Sequence, residues 1–98
     1  MLEEQLKNEI AVKYFKKFVC TDIIKRIDFS VKNDYGYLLW AEAKQQPTDI
    51  YKMLAQLLIT IKLDAWDITP PKFLGCFDNE KIAFVPYYDV QPRSVQID

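Results

Sequence analysis

Ile27, Phe29 and Val31 alternate with Arg26, Asp28 and Ser30, the period of a strand with one apolar face. Leu39, Ala41 and Ala43 alternate with Leu38, Trp40, Glu42 and Lys44. Both faces of this second run are largely apolar until Glu42, which predicts a strand central in its sheet. Elsewhere the period changes to that of a helix. Leu6, Ile10, Val12 or Lys13, Phe15 and Phe18 recur at threes and fours from Leu2 to about Phe18, with acids early and lysines late, as the helix dipole favours. Ile50, Met53, Leu54, Leu57, Leu58 and Ile61 form a second helical stripe over Asp49 to about Leu63. Its opposite stripe is Asp49, Lys52, Gln56 and Thr60. Pro47 breaks the chain before that helix, and Thr48 is the expected N-cap. Two further strands are expected at Lys72–Phe77 and Lys81–Val85, joined by a turn at Asp78-Asn79-Glu80. Val19 to Ile24 reads as a connector or a short strand. From Tyr87 to Asp98 the chain reads as a tail without an obvious partner.

The first two strands are joined by Asn33-Asp34-Tyr35-Gly36, a strong turn signal. A three-residue loop Asp34-Tyr35-Gly36, closed by glycine in a left-handed conformation, places Asp28 opposite Glu42, Arg26 opposite Lys44 and Ser30 opposite Trp40. Opposed side chains on antiparallel strands share a face, with Cβ atoms roughly 4.5–5.5 Å apart. Asp28 and Glu42 then become neighbours, with Lys44 two residues along on the same face. Two opposed carboxylates destabilise a hairpin unless something compensates. A divalent cation does so, because Mg²⁺ takes oxygen ligands and is commonly held by one or two carboxylates. A one-residue slip would send Glu42 and Lys44 to the other face. The alternative is a plain surface hairpin in which Glu42 pairs with Arg26 or Lys44. Against it stands the placement of Glu42 and Lys44 at the end of an apolar strand.

The chain has 98 residues, a formal net charge of −1, and is half hydrophobic, with six Phe, six Tyr and two Trp. That suffices for one small core and one domain. No apolar run approaches the ~20 residues of a membrane helix, and the acidic Met1-Leu2-Glu3-Glu4 start is not that of a signal peptide. Cys20 and Cys76 lack metal-site spacing and read as buried thiols of a cytosolic protein. Histidine is absent, which removes His-based catalysis, His–Cys zinc sites and the serine-protease triad. Proteins that grip DNA alone usually carry a basic patch. Here the one basic cluster in the sequence is Lys13, Lys16, Lys17, Lys25 and Arg26. DNA affinity is therefore expected to be weak, or to come from elsewhere on a longer protein.

The expected order of helix, hairpin, helix, hairpin is an α/β (α+β) layer, a mixed sheet flanked by helices, with the second helix as crossover. This order and the motif Asp28 … Glu42-Ala43-Lys44, preceded by Leu38-Leu39-Trp40-Ala41, resemble the restriction-endonuclease-like αβββαβ core of the PD-(D/E)xK nuclease superfamily. The phrases Leu39–Lys44, Thr48–Tyr51, Gln56-Leu57, Pro71–Gly75 and Glu80–Phe84 resemble the N-terminal region of bacterial restriction–modification proteins that fuse a nuclease to an N6-adenine DNA methyltransferase. One departure is Ile27, where the family usually has proline before the first Asp.

The resemblance implies a nuclease-like domain over 1–86, with 87–98 a tail or the start of a linker. Its activity would be that of a type II site-specific deoxyribonuclease, hydrolysing phosphodiester bonds of double-stranded DNA in a bacterial cytoplasm. It implies Mg²⁺, with Mn²⁺ as substitute, held by Asp28, Glu42 and Ala43, and Lys44 orienting the attacking water. Glu9 on the first helix, and Gln56 and Lys52 on the second, are the accessory candidates. Implied partners are methyltransferase and target-recognition domains beyond Asp98, for which no Asn-Pro-Pro-Tyr or glycine-rich cofactor loop is present here, and a dimer for cutting both strands. The competing expectations are a non-catalytic docking or DNA-contacting module on the same fold, and a surface-active protein using Trp66, Tyr87 and Tyr88.

Overall fold

A computed structural model describes residues 3–21 and 24–90. Glu3–Tyr14 forms α1, Phe29–Asn33 β1, Gly36–Ala43 β2, Ile50–Asp64 α2, Phe73–Phe77 β3 and Ile82–Pro86 β4. A single helical turn follows at 87–90. The strands make one mixed sheet in the order β1-β2-β3-β4. Strands β1 and β2 pair antiparallel, β2 and β3 parallel, and β3 and β4 antiparallel. This is the expected α+β class. Ahead of β1 there is no regular third strand among the described residues. Val19 alone stands there, exchanging both backbone hydrogen bonds with Lys32 at 3.0 and 2.9 Å.

Strand alternation divides the core between the two faces. Phe29, Val31, Leu39, Ala41, Ala43 and Phe77 pack with Leu6 of α1, and with Ile10, Ala11 and Phe15 beside it. Trp40 and Leu74 point the other way and pack with Leu57 and Ile61 of α2, together with Ile24 and Ile27. Trp40, Leu74 and Leu57 are among the fully buried side chains, each stabilising the fold by about 1.5–3 kcal/mol. A Cβ at Gly75 would sit 3.0 Å from Leu39 Cδ1 and from Phe84 Cδ1, tighter than ordinary van der Waals contact. Helix α1 stops at Tyr14 rather than Phe18. Phe15 leaves the helix to pack edge-on or tilted against Phe18, Phe29 and Phe84, and Val12, expected in the stripe, is 70% exposed. At the other end of the chain, Tyr87 and Val90 pack against the Trp40 cluster, and Tyr87 N donates to Lys72 O at 2.9 Å. That stretch is thus docked on the sheet and is not a free tail. Residues 91–98 lie outside the described residues.

From Phe29 onward the hairpin keeps the expected register by a different route, whereas Arg26, expected opposite Lys44, lies in the turn bridged by Ile24 and Ile27 before β1. The loop is the two residues Asp34 and Tyr35, with Asn33 opposite Gly36. Asn33 Oδ1 accepts from Tyr35 N at 2.8 Å, and Gly36 has φ +136°, a conformation that favours glycine. A bulge then sets Leu38 as the extra residue between the Lys32–Tyr37 and Val31–Leu39 pairs. The two-residue loop and the bulge together restore Ser30 opposite Trp40 and Phe29 opposite Ala41, as expected.

Two local anchors fix the ends of the sheet relative to α2. Asp49, not Thr48, caps α2: its Oδ1 accepts from Tyr51 N at 2.8 Å and Lys52 N at 3.1 Å. Thr48 N instead donates to Asp78 Oδ2 at 2.9 Å. Asp78 is 3% exposed and also accepts from Glu80 N, Lys81 N and the Lys81 ammonium. Burial pushes its carboxyl up, but Lys81 and these three N–H groups outweigh that and hold it at about 2. Asp78→Ala would leave those N–H groups and the Lys81 ammonium without their shared acceptor. Hydrogen bonds to charged groups contribute ≈ 1.5–3 kcal/mol, so the expected loss is about 2–4 kcal/mol, read as a lower urea midpoint at unchanged m-value. A midpoint equal to the wild type's would show that Asp78 does not anchor this turn.

Candidate functional site

Glu42 is the last-but-one residue of β2, an interior strand, and sits on the α2 face of the sheet beside Cys76 of β3. It is 5% exposed. Asp28 immediately precedes β1, in a bend just beyond the last strand pair, Phe29 opposite Ala41. Its Oδ2 accepts from Ala43 N at 3.0 Å, and its side chain also hydrogen-bonds Glu42. The two carboxyls are therefore in contact, although Asp28 lies just outside the strand pairing. Lys44 continues the ladder through its N–H to Phe77 O at 3.0 Å. It shares with Asp28 and Glu42 a cavity of about 410 Å³.

Burial is the largest influence on Glu42 and raises its carboxyl, which the hydrogen bond and charge of Asp28 raise further; Lys44 opposes them and Glu3 adds to them, leaving it pushed up to about 8. At neutral pH Glu42 accordingly keeps its proton and can donate it to Asp28. Glu42 Oε2 is buried without a hydrogen-bond partner. An acceptor oxygen stranded in this way costs about 1–3 kcal/mol, and either a cation or a donor on a ligand would relieve it.

The same cavity is lined by Glu3, Arg26 and Gln56, with Ile59, Thr60 and Leu63 of α2. Arg26 stands at the tip of a tight turn whose ends, Ile24 and Ile27, are buried and bridged, with Ile27 N donating to Ile24 O at 2.9 Å. Lys25 in this turn has φ +50°, a left-handed conformation that a β-carbon disfavours. Arg26 Nε pairs with Asp64 at the end of α2.

Of the residues expected at the site, Asp28, Glu42, Lys44 and Gln56 are brought together. Ala43 enters through its backbone N–H, which tethers Asp28. Glu9 lies elsewhere, in a separate depression with Lys13, Asp78 and Lys81. The acid that α1 contributes to the cavity is Glu3. Lys52 is exposed and does not line the cavity, because the α2 face that turns toward Glu42 is the Gln56–Thr60 flank. Arg26, Glu3 and Thr60 were missed as site residues. Glu3 had a signal in the acidic first turn of α1, and Thr60 in its place on the Gln56 stripe.

No group of three or more His, Cys, Asp or Glu residues is placed to hold a metal among the described residues. The donor set is two carboxylates with one stranded oxygen. It fits a hard cation that keeps most of its water, since Mg²⁺ is commonly bound through one or two carboxylates. It does not fit a closed, all-protein cage. No helix among the described residues is long and apolar enough to cross a membrane. Comparisons of the chain with protein-family models, curated proteins and solved structures find no match.

Proposed function

We propose that this protein is a Mg²⁺-dependent DNA endonuclease of the PD-(D/E)xK kind. One observation carries the reading: a buried glutamate with a stranded oxygen touches an aspartate just before the neighbouring strand, with a lysine lining the same cavity. Asp28 and Glu42 would hold the ion, with the Ala43 backbone between them. When bound, Mg²⁺ supplies positive charge to the phosphate and makes water a better nucleophile. Lys44 holds its ammonium where developing negative charge on oxygen needs it. Arg26, fixed by its Nε to Asp64, keeps its terminal nitrogens for a phosphate oxygen. Gln56 and Thr60 supply neutral hydrogen-bonding groups on the opposite wall, and Glu3 takes the place proposed for the first-helix acid.

The Val19–Lys32 bridge outside β1 supports the αβββαβ reading, as the remnant of its first strand. The wider assignment, a type II restriction–modification protein of a bacterial cytoplasm acting on double-stranded DNA with methyltransferase and target-recognition domains, rests on the flanking phrases quoted above. A non-catalytic docking or DNA-contacting module is the second reading. What favours it is that Asp28 and the protonated Glu42 satisfy much of each other's need through their hydrogen bond.

Calorimetric titration with Mn²⁺ decides between them. The expected result is one site in the wild type, weakened at least tenfold in both Asp28→Asn and Glu42→Gln. Folded wild-type protein that takes up no Mn²⁺ would move the assignment to the docking module.

A further inference from the structure

The α2 wall of the carboxylate cavity carries side chains that neither an ion nor a phosphate calls for. Successive turns of α2 present Gln56, then Ile59 and Thr60, then Leu63 to the cavity. Ile59 and Leu63 are 60% and 63% exposed, so neither is committed to the core. A hydrated ion and phosphate oxygens gain nothing from aliphatic surface. Exposed apolar groups rimmed by polar ones mark a ligand-binding groove. Beside them, Thr60 donates its hydroxyl to Gln56 O at 3.0 Å, which leaves its oxygen as an acceptor. The Gln56 amide offers both a donor and acceptors.

We infer that the cavity receives one unpaired nucleotide of a DNA strand. Its base lies against Ile59 and Leu63, its base edge meets Gln56 and Thr60, and its phosphate meets Lys44 and Arg26. In a paired duplex the base faces are covered by their neighbours, and only base edges are open in the grooves. An apolar wall inside a cavity reaches a base face only when the nucleotide has left the stack. Pockets that take such a nucleotide set apolar side chains against the base and hydrogen-bonding groups at its edge. The size agrees. About 410 Å³ is near the small end of the roughly 300–1,000 Å³ of small-molecule pockets, which suits one nucleotide.

The charge agrees as well. A protein that grips duplex DNA draws its affinity from many phosphate contacts. Among the described residues, the cations lining the cavity are Lys44 and Arg26, in a chain of formal net charge −1. Contact with a base face supplies affinity that these charges do not. Duplex DNA therefore enters only where a nucleotide is out of the stack, at an end, a bulge or a locally opened step. That the phosphate held here is the one cut rests on the nuclease reading, whereas the nucleotide pocket itself does not.

Fluorescence anisotropy of short labelled oligonucleotides tests this, with Ca²⁺ replacing Mg²⁺ because it also takes oxygen ligands. Wild type is expected to bind a single strand about tenfold more tightly than a blunt duplex of the same sequence. A duplex with one bulged nucleotide should bind nearly as well as the strand. With Lys44 and Arg26 as the phosphate contacts, log K for the strand should fall against log salt with a slope of about −1.4. Ile59→Ser combined with Leu63→Ser should abolish the preference for the strand. Tyr51→Ser, on α2 but outside the cavity, should keep it. All three side chains are exposed, so these variants keep their fold, as a melting curve checks. A wild type that binds the blunt duplex as tightly as the strand, or does not bind the strand, overturns the proposal. So does a preference that survives in the double variant, or a salt slope more than twice as steep, which would place the strand on Lys13, Lys16 and Lys17. Mn²⁺ calorimetry on the same samples reports on the carboxylates separately. A Mn²⁺ site without strand preference sinks the nucleotide pocket and spares the nuclease reading; strand preference without Mn²⁺ uptake does the reverse.

Discussion

Lys44→Ala is expected to lower Mg²⁺-dependent cleavage of plasmid DNA at least 100-fold while leaving the fold intact. Removing one positioned donor to a developing oxyanion typically costs 10²–10³ in rate. Lys44 is half-buried at the end of β2, and its structural contribution is a backbone hydrogen bond to Phe77 that alanine keeps. The melting temperature should therefore move by no more than a few degrees. The variant has a second effect that must be separated from the first. The Lys44 charge holds the Glu42 carboxyl down, so removing it lets that carboxyl rise and weakens metal binding near neutrality. Raising the pH to 8.5 should restore Mn²⁺ binding to Lys44→Ala without restoring cleavage. If cleavage recovers with binding, Lys44 is only an electrostatic aid to the carboxylates. If the variant cuts at the wild-type rate at neutral pH, the proposed role of Lys44 is wrong.

The arrangement on which this expectation stands was legible in the sequence because sheet pairing is strongly constrained by alternation. Phe29 and Ala41 must face one layer and Ser30 and Trp40 the other, and this parity together with the short turn brings Asp28 beside Glu42. The turn chemistry was misread, yet the register survived. The two-residue loop and the Leu38 bulge differ from a three-residue loop by cancelling offsets, and the burial pattern enforces the sum. Helix α2 was equally legible from its buried stripe. What periodicity could not decide was direction. Glu3 and Glu9 both lie three residues from Leu6, the buried anchor of α1, and only the way α1 crosses the sheet brings Glu3 to the cavity. The cap of α2 was missed by one residue for a related reason. Thr48 and Asp49 are both good caps, but Thr48 is drawn away by Asp78, thirty positions along the chain.

The metal-free protein should lose stability as pH rises from about 5 to 8.5, opposite to the usual acid lability. Glu42 binds its proton up to about 8 when folded, whereas an unfolded glutamate releases it near ~4.3. Between those values the native state holds more protons than the unfolded state, so stability falls with rising pH. The contribution is fully present below about pH 4 and gone above about pH 8. A shift of this size corresponds to on the order of 3–5 kcal/mol. Asp78 behaves in the opposite sense. Its carboxyl is held at about 2, so the stability it provides is lost only as pH falls below ~4 toward that value, outside the window of Glu42. Cys76 and Tyr87, both pushed up by burial, stay uncharged through the window. Urea denaturation in a chelating buffer should show the slope in wild type and a flat profile in Glu42→Gln, the variant being more stable by about 2–4 kcal/mol at pH 8.5. Mn²⁺ should restore wild type at pH 8.5 and do nothing for Glu42→Gln. At pH 7, calorimetry in two buffers of different ionisation enthalpy should show about one proton released per ion bound, because the ligand must deprotonate. A wild-type profile as flat as that of the variant would mean that Glu42 is already ionised across the whole window.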